Sequence, residues 1–433
     1  MNSTRNRGNI LPIAIMFALF FMIAFVTGLQ TPLADVVKGQ FSGNNALSML
    51  GNLANFIAYL FMGIPAGLLL QRIGYKKTAL VAVTVGFIGV SVTFLSGKVS
   101  EDPSHISVFA TYLAGALISG FSMCLLNTVV NPMLNTLGGG GNRGNQLVQF
   151  GGVFNSVAAT IVPVTVGYLT GGMVNPTISE VAPALYMAMG IFALAFMVIA
   201  FSRIPEPEQQ KQTERTTGDR HSAWSFRHFV LGIIAIFLYV GIEVGVPGTA
   251  LNWMKDSVNG LGMDAAAAGT IAGTYWFLML IGRLIGGAVG AKVSSRTMLR
   301  TVSAVALAFV LIAMLAPTDV SVMMPVFNSN LSFSLQEAPI GIMFLVLVGL
   351  CTSVMWGGIF NLAVEGLGRY TSAASGIFMM MVCGGGIIPL VQGYVADLAS
   401  YSASYWVIVV CLAYLLFYAF AGYKNVNKDI ITN

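Results

Sequence analysis

The segment IPEPEQQKQTERTTGDRHSAWSFR (204–227) is the longest polar stretch in the chain, and the apolar runs on either side of it decide the fold. Six such runs precede it, at roughly 10–37, 46–71, 78–97, 106–136, 146–171 and 181–203. Six follow, at roughly 228–252, 266–291, 297–316, 339–364, 371–398 and 402–423. Each matches the roughly 20 residues a helix needs to cross the hydrocarbon core of a bilayer. Six spans, a polar linker and six more spans predict an all-α membrane protein with twelve transmembrane helices in two pseudo-symmetric six-helix halves. The expected units are 1–203, the linker 204–227, and 228–433.

Composition agrees. The 433 residues are 56% apolar and only 9% charged, and the mean hydropathy is +0.81. A soluble domain carries about 25% charged residues, so a water-exposed surface cannot be built here, whereas a surface in contact with the lipid bilayer can. The net charge of +5 is spread over short loops and forms no patch for nucleic acid. Cys124, Cys351, Cys383 and Cys411 lie in apolar stretches without ligand spacing and read as small buried hydrophobes. His105, His221 and His228 lie outside the interiors of the runs, and neither a metal nor a cofactor is expected. Arg5 to Arg7 followed by Ile10 to Val26 has the outline of a secretion signal. The run is too long and no cleavage site follows it, so it is read as the first membrane helix.

Lys and Arg placement predicts orientation. One set of loops holds Arg72, Lys76 and Lys77, then Arg143, the linker, then Lys292, Arg296 and Arg300, then Arg369. Both ends of the chain are basic as well, through Arg5, Arg7, Lys424 and Lys428. The opposite loops hold Lys38, Lys98 and Lys255. Both termini and the linker are therefore expected in the cytoplasm. The opposite loops are short except for Thr318 to Pro339. The run LGGGGNRGN (137–145) is glycine-rich but lacks the Gly-Lys-Ser/Thr ending of a phosphate-binding loop. An ATP-driven pump is disfavoured, and the energy source is expected to be an ion or solute gradient.

Ionisable groups at membrane depth are costly and tend to be functional. Two acids lie inside apolar runs, Asp35 in the first span and Glu243 in the seventh. Those spans are equivalent in a duplicated chain, so each half offers a carboxylate to a shared centre. Asp35 sits in GLQTPLADVV, where Pro32 removes a backbone donor and kinks the helix. It reads as a binder of a proton, a cation or a sugar hydroxyl, or else as an interfacial carboxylate at the outer helix end. Gln30 and Thr31 belong to the same stretch and join the candidate site. Glu243 sits in YVGIEVGVPG, about sixteen residues into its span and near mid-depth. It reads equally as functional or as a structural glutamate bonded to a neighbouring helix.

Neutral polar groups complete the set. Asn127 and Asn131 are four apart in the fourth span, share a face, and precede Pro132. The fifth span has Gln149 and Asn155, the seventh ends at Asn252 and Trp253, and the eighth has Tyr275 and Trp276. The tenth has Trp356 and Asn361, and the eleventh leads to Gln392. Amides both donate and accept, which suits vicinal sugar hydroxyls, and indole rings suit the apolar face of a pyranose. Any one amide can equally be interhelical glue. Distributed over both halves, Asn127, Asn131, Gln149, Asn155, Asn252, Trp276, Trp356 and Asn361 point to a cavity for a polar solute. Glycines 115 and 120, 282, 286 and 290, and 384–386 are expected to let helices approach closely.

The stretches IPAGLLLQRIGYK (64–76), NTVVNPMLNTLG (127–138), IFNLAVEGLGRYTSAASG (359–376) and GGGIIPLVQGYVAD (384–397) carry a resemblance. Through them the whole chain resembles the major facilitator superfamily, and within it the fucose–galactose–glucose:proton symporter family. The resemblance implies the major facilitator fold and a secondary transporter, not an enzyme, in a bacterial cytoplasmic (inner) membrane. It implies import of a hexose-type sugar by proton-coupled symport, with a sugar and protons as partners and a monomer as the working unit. Asp35 matches the family's proton-coupling aspartate. Asn131 with Pro132 matches its Asn-Pro pair, and Asn155 matches an asparagine near the sugar. Two positions depart from the pattern. Gln71 stands where the superfamily signature carries an acid, and Asn127 stands where fucose permeases carry a second proton-linked glutamate. A sodium-coupled or uncoupled sugar carrier and a non-transporting membrane sugar sensor are the alternative readings. The latter usually carries a long cytoplasmic extension.

Overall fold

The computed structural model describes residues 10–29, 33, 45–169, 177–206, 221–328, 332–427 and 429–430. The first helix, α1 (Ile10–Gly28), is apolar on all sides, as befits a helix set between lipid and protein. A helical run Asn45–Ser96 follows, broken at Gly74, whose φ of 82° is a left-handed value that glycine adopts without strain. The break divides it into α2 (45–73) and α3 (75–96). Next come α4 (Ile106–Leu137), α5 (Gly141–Leu169) and α6 (Ala182–Phe201). The second set is α7 (Arg227–Lys255), α8 (Ala265–Val289) and α9 (Ser295–Leu315). It continues with α10 in two pieces (Ile340–Thr352 and Met355–Val364). The next helix, α11, also has two pieces (Thr371–Met380 and Gly384–Leu398), joined by a tight turn at Met381–Cys383. The last, α12 (Tyr401–Phe417), runs into a π turn at Tyr418–Gly422. Among the described residues, ten helical stretches are long and apolar enough to cross a membrane. One of these, Leu53–Ser96, spans most of α2 and all of α3, and α5 completes the twelve segments.

The sequence reading treats Thr318 to Pro339 as a loop. The structure instead folds it into an antiparallel hairpin of β1 (Ser321–Phe327) and β2 (Phe333–Pro339), with Phe327 opposite Phe333. Phe327 stacks on Phe277 of α8 at 4.3 Å, and its N–H donates to Thr274 Oγ1 at 3.0 Å. Pro325 inside the first strand masks the strand signal. On the same side of the membrane, Asp256 accepts from the N–H groups of Asn259 and Val258 and from the Tyr401 hydroxyl, closing the α7–α8 turn. Those bonds hold its carboxyl below the usual carboxylate range. The stabilisation they give is present near neutral pH and is lost as pH falls through the depressed value.

The two sets of helices repeat a local device. Lys76, at the start of α3, donates from Nζ to Ala200 O and Ser202 O at the end of α6, at 2.9 and 2.8 Å. Arg300 in α9 donates from Nε to Ala419 O near the end of α12, at 2.8 Å. Each places a cation on the orphan carbonyls at a helix C-terminus, where the dipole is negative. The first set adds a carboxylate from the polar segment. Glu206 accepts from the backbone N–H groups of Tyr75 and Lys76, at 2.7 and 3.0 Å, at the N-terminus of α3.

The sets meet along two seams, α2 with α11 and α5 with α8. At the first, the backbones touch directly: a Cβ on Gly376 would collide with Gly63 O and lie 2.7 Å from Gly67 Cα. At the second, Gln146 Nε2 donates to Gly287 O at 2.9 Å, and the Phe150 ring lies against Gly287. Both contacts lie toward the ends of the helices that face the 204–227 linker. The expected close approaches occur at Gly282 against Ser353, Gly286 against Val354 and Gly384 against Phe237 O. All four cysteines are buried and free.

Candidate functional site

In the C-terminal half of α4, Asn127 and Asn131 project to one side as their spacing requires. Asn127 is 7% exposed and Asn131 fully buried. Asn127 Nδ2 donates to the Tyr59 hydroxyl of α2 at 3.0 Å and to Met123 O at 3.1 Å. Asn131 Nδ2 donates to Asn127 O at 2.9 Å and reaches Asn127 Oδ1 at 3.3 Å. Asn131 Oδ1 accepts from the indole N–H of Trp356 at 3.0 Å, which carries the network from the first set of helices into the second.

Trp356 can reach that far because of local structure. It lies just after the break between the two pieces of α10, at Ser353–Val354. Its ring meets Tyr239 of α7 edge-on at 6.3 Å and Phe378 of α11 at 6.1 Å, beside the second helix break. One turn beyond Tyr239 on the same face is Glu243. Glu243 Oε1 lies 3.4 Å from Arg283 Nη2, an ion pair whose side chains are 16% and 9% exposed. Arg283 projects from α8 toward α5. Its Nη1 donates to Ser156 Oγ at 2.7 Å, to Gly152 O at 2.9 Å and to Asn155 Oδ1 at 3.3 Å.

Tyr59, Asn127, Asn131, Trp356, Tyr239, Glu243, Arg283, Asn155 and Ser156 thus line up across the junction of the two sets. Buried amides and charges at this depth are retained only if bonded, and these bond to one another. The arrangement has donors, acceptors and aromatic faces together, which is the chemistry a polyhydroxylated solute meets well.

The remaining predicted positions divide. Gln149 is buried, but it donates to Val354 O at 2.9 Å and bridges α5 to α10 instead of facing the cluster. Asn361 donates to Ser295 Oγ at 2.8 Å, an interhelical bond near the start of α9. Asn252 is exposed near the end of α7, and Trp276 is 38% exposed. Among the described residues neither has a hydrogen bond to the cluster: Asn252 lies nine residues, about two and a half turns, beyond Glu243, and Trp276 stacks edge-on against Tyr275. Asp35, Gln30 and Thr31 lie outside the described residues. Sequence reasoning missed Arg283, Tyr239, Ser156 and Tyr59. Arg283 is detectable in the sequence, since it interrupts the apolar run LMLIGRLIGGAV (278–289), and a cation at membrane depth is as telling as an acid.

Comparison with known proteins follows the same lines. A family model described as Major Facilitator Superfamily matches residues 16–388. The chain is 30% identical over 413 residues to a glucose/galactose transporter of Brucella abortus biovar 1, covering 94% of this chain and 93% of the relative. It is 22% identical over 445 residues to an L-fucose-proton symporter of Escherichia coli, covering 97% and 94%. Among solved structures, it superposes on a Major Facilitator Superfamily transporter, FucP, in the outward conformation, with a TM-score of 0.78 at 20% identity, covering 95% and 98%. The proton:xylose symporter XylE, bound to 6-bromo-6-deoxy-D-glucose, gives a TM-score of 0.74 at 13% identity, covering 94% of each chain.

Proposed function

The chain belongs to the Major Facilitator Superfamily, and from that membership we propose that it imports a hexose-type sugar by proton-coupled symport. It works by alternating access: the two halves, 1–203 and 228–433, rock about the central cluster and expose it to one side at a time. The observation that carries this reading is the buried network from Tyr59 to Arg283, in which each half contributes amide, aromatic or charged groups. The printed functions of the relatives support it. In this reading the protein is a monomer in the bacterial cytoplasmic membrane, with the linker and both termini in the cytoplasm. The Lys and Arg bias of the loops supports that orientation. The seams that are closed in this structure then lie on the cytoplasmic side.

Asp35 is the proton-coupling group of this reading. It takes a proton from outside, is neutralised, and releases the proton in the more alkaline cytoplasm. Neutralisation matters because an unpaired carboxylate is expensive in a closed apolar intermediate. Sugar contacts fall to Asn127, Asn131, Asn155 and Trp356, with Gln30 and Thr31 beside Asp35.

The test is uptake of labelled hexoses into proteoliposomes with and without an inward proton gradient. Accumulation of a hexose only with the gradient is the expected result. Equilibration without accumulation would replace symport by a uniporter or a sodium-coupled carrier. No hexose uptake at all would remove the sugar assignment.

Asn127 gives a narrower test. Its amide now donates to Tyr59 and Met123 O. Asn127→Glu puts a second titratable group beside Asn131, so the pH profile of uptake is expected to gain a second limb and sugar preference to shift. An unchanged profile and unchanged preference would show that Asn127 contributes to neither.

A further inference from the structure

The bonds of Arg283 are unequal. Toward α5, Nη1 makes contacts at 2.7 and 2.9 Å and a longer one at 3.3 Å. Toward Glu243 there is one contact, at 3.4 Å. Charge-assisted N–H to carboxylate bonds are usually about 2.7–2.9 Å. The guanidinium is therefore engaged with Ser156 and Gly152, and the carboxylate beside it is under-used. The two sets of partners also sit on different bodies. Ser156, Gly152 and Asn155 belong to the first six helices, whereas Glu243 shares the second six with Arg283 itself.

A motion that parts α5 from α8 must break the first set and leaves the second intact. Arg283 cannot lose its charge, and its surroundings are buried. An arginine released from α5 with no carboxylate at hand would be a bare cation inside the bilayer. Among the described residues, Tyr239 and Tyr275 are the other titratable groups beside this pair, and a phenol cannot neutralise a cation. Among the described residues this is the one ion pair.

We infer that Arg283 is a charge latch between the halves, bound to α5 in the present conformation and handed to Glu243 when α5 and α8 separate. Glu243 is then a positioning residue whose carboxylate stabilises the separated state, and Ser156 stabilises the present one. The inference deepens the transport reading above and rests on it only for the direction of the motion.

A cysteine in place of Asn145 reports that motion. Asn145 is fully buried on α5, next to Met298 of α9 and Gly357 of α10, so water reaches it only when the halves part there. The rate of N-ethylmaleimide alkylation of N145C is measured in membranes without sugar, against the unsubstituted chain with its four buried cysteines. Adding Glu243→Gln is expected to slow alkylation at least fivefold, because the separated state loses its counterion. Adding Ser156→Ala is expected to speed it several-fold. Glu243→Asp keeps the charge and should stay near the parent rate. Shifts in the same direction for the first two, or no shift from Ser156→Ala in a well-folded variant, would overturn the latch. Because no sugar is present, a failed hexose-uptake experiment leaves this result standing.

Discussion

Arg283→Gln is expected to abolish uptake and to destabilise the protein, while adding Glu243→Gln restores stability without restoring uptake. Removing the guanidinium strips Glu243 of its one cation and leaves Ser156, Gly152 and Asn155 without their donor. Breaking a buried ion pair from one side costs roughly 3–5 kcal/mol, most of it the penalty of the charge left behind. The 3.4 Å separation and the residual exposure of Glu243 argue for the lower end, about 3 kcal/mol. Neutralising the carboxylate as well removes that penalty, so the double variant should unfold at a higher temperature than Arg283→Gln alone. Transport should stay lost in both, because neither can hold α5 and release it. Thermal unfolding of the three purified variants, with uptake measured in parallel, decides the matter. If the double variant were no more stable than the single one, Glu243 and Arg283 would not be energetically coupled.

Asp35→Asn is expected to eliminate accumulation driven by a proton gradient while sparing sugar exchange across the membrane. With one proton per sugar, a difference of one pH unit is about 1.36 kcal/mol and can sustain roughly tenfold accumulation. The asparagine neither gains nor loses a proton, so the ratio of inside to outside sugar should fall to unity. Counterflow requires only that the loaded carrier reorient, and the neutral side chain resembles the protonated aspartate that makes that step feasible. Intact gradient-driven uptake with its pH dependence preserved would show that Asp35 is not the coupling group.

Much of the architecture could be read before any coordinates. Apolar runs of membrane length translate directly into helices because lipid leaves the backbone no other partner than itself, and eleven of the twelve spans agree with the observed helices to within about five residues, while the end of the first, 10–37, lies outside the described residues. The pairing of Asn127 with Asn131 was legible too, since a spacing of four is a statement about one helix. What needs two helices was not. The bond between Asn131 and Trp356 depends on the interruption of α10 at Ser353–Val354, which apolar residues on both sides conceal. Gln149 and Asn361 looked the same as Asn155 in the sequence. Their neighbours, a freed carbonyl and a serine, turned them into bridges between helices. Arg283 was overlooked for a different reason, because attention to carboxylates alone hides the cation that balances one of them.

The two seams differ mechanically. Where α2 meets α11, backbone lies on backbone at Gly63, Gly67 and Gly376, and farther along the same helices the Phe56 ring packs on Gly385 without a polar bond. Where α5 meets α8, a phenylalanine ring, a glutamine amide and a guanidinium interlock. Polar bonds between these paired helices are thus concentrated on one flank, as in a door with a plain edge and a bolted one. If the halves rock as proposed above, the flank that carries the polar bonds is the one whose release and re-formation is expected to pace the cycle.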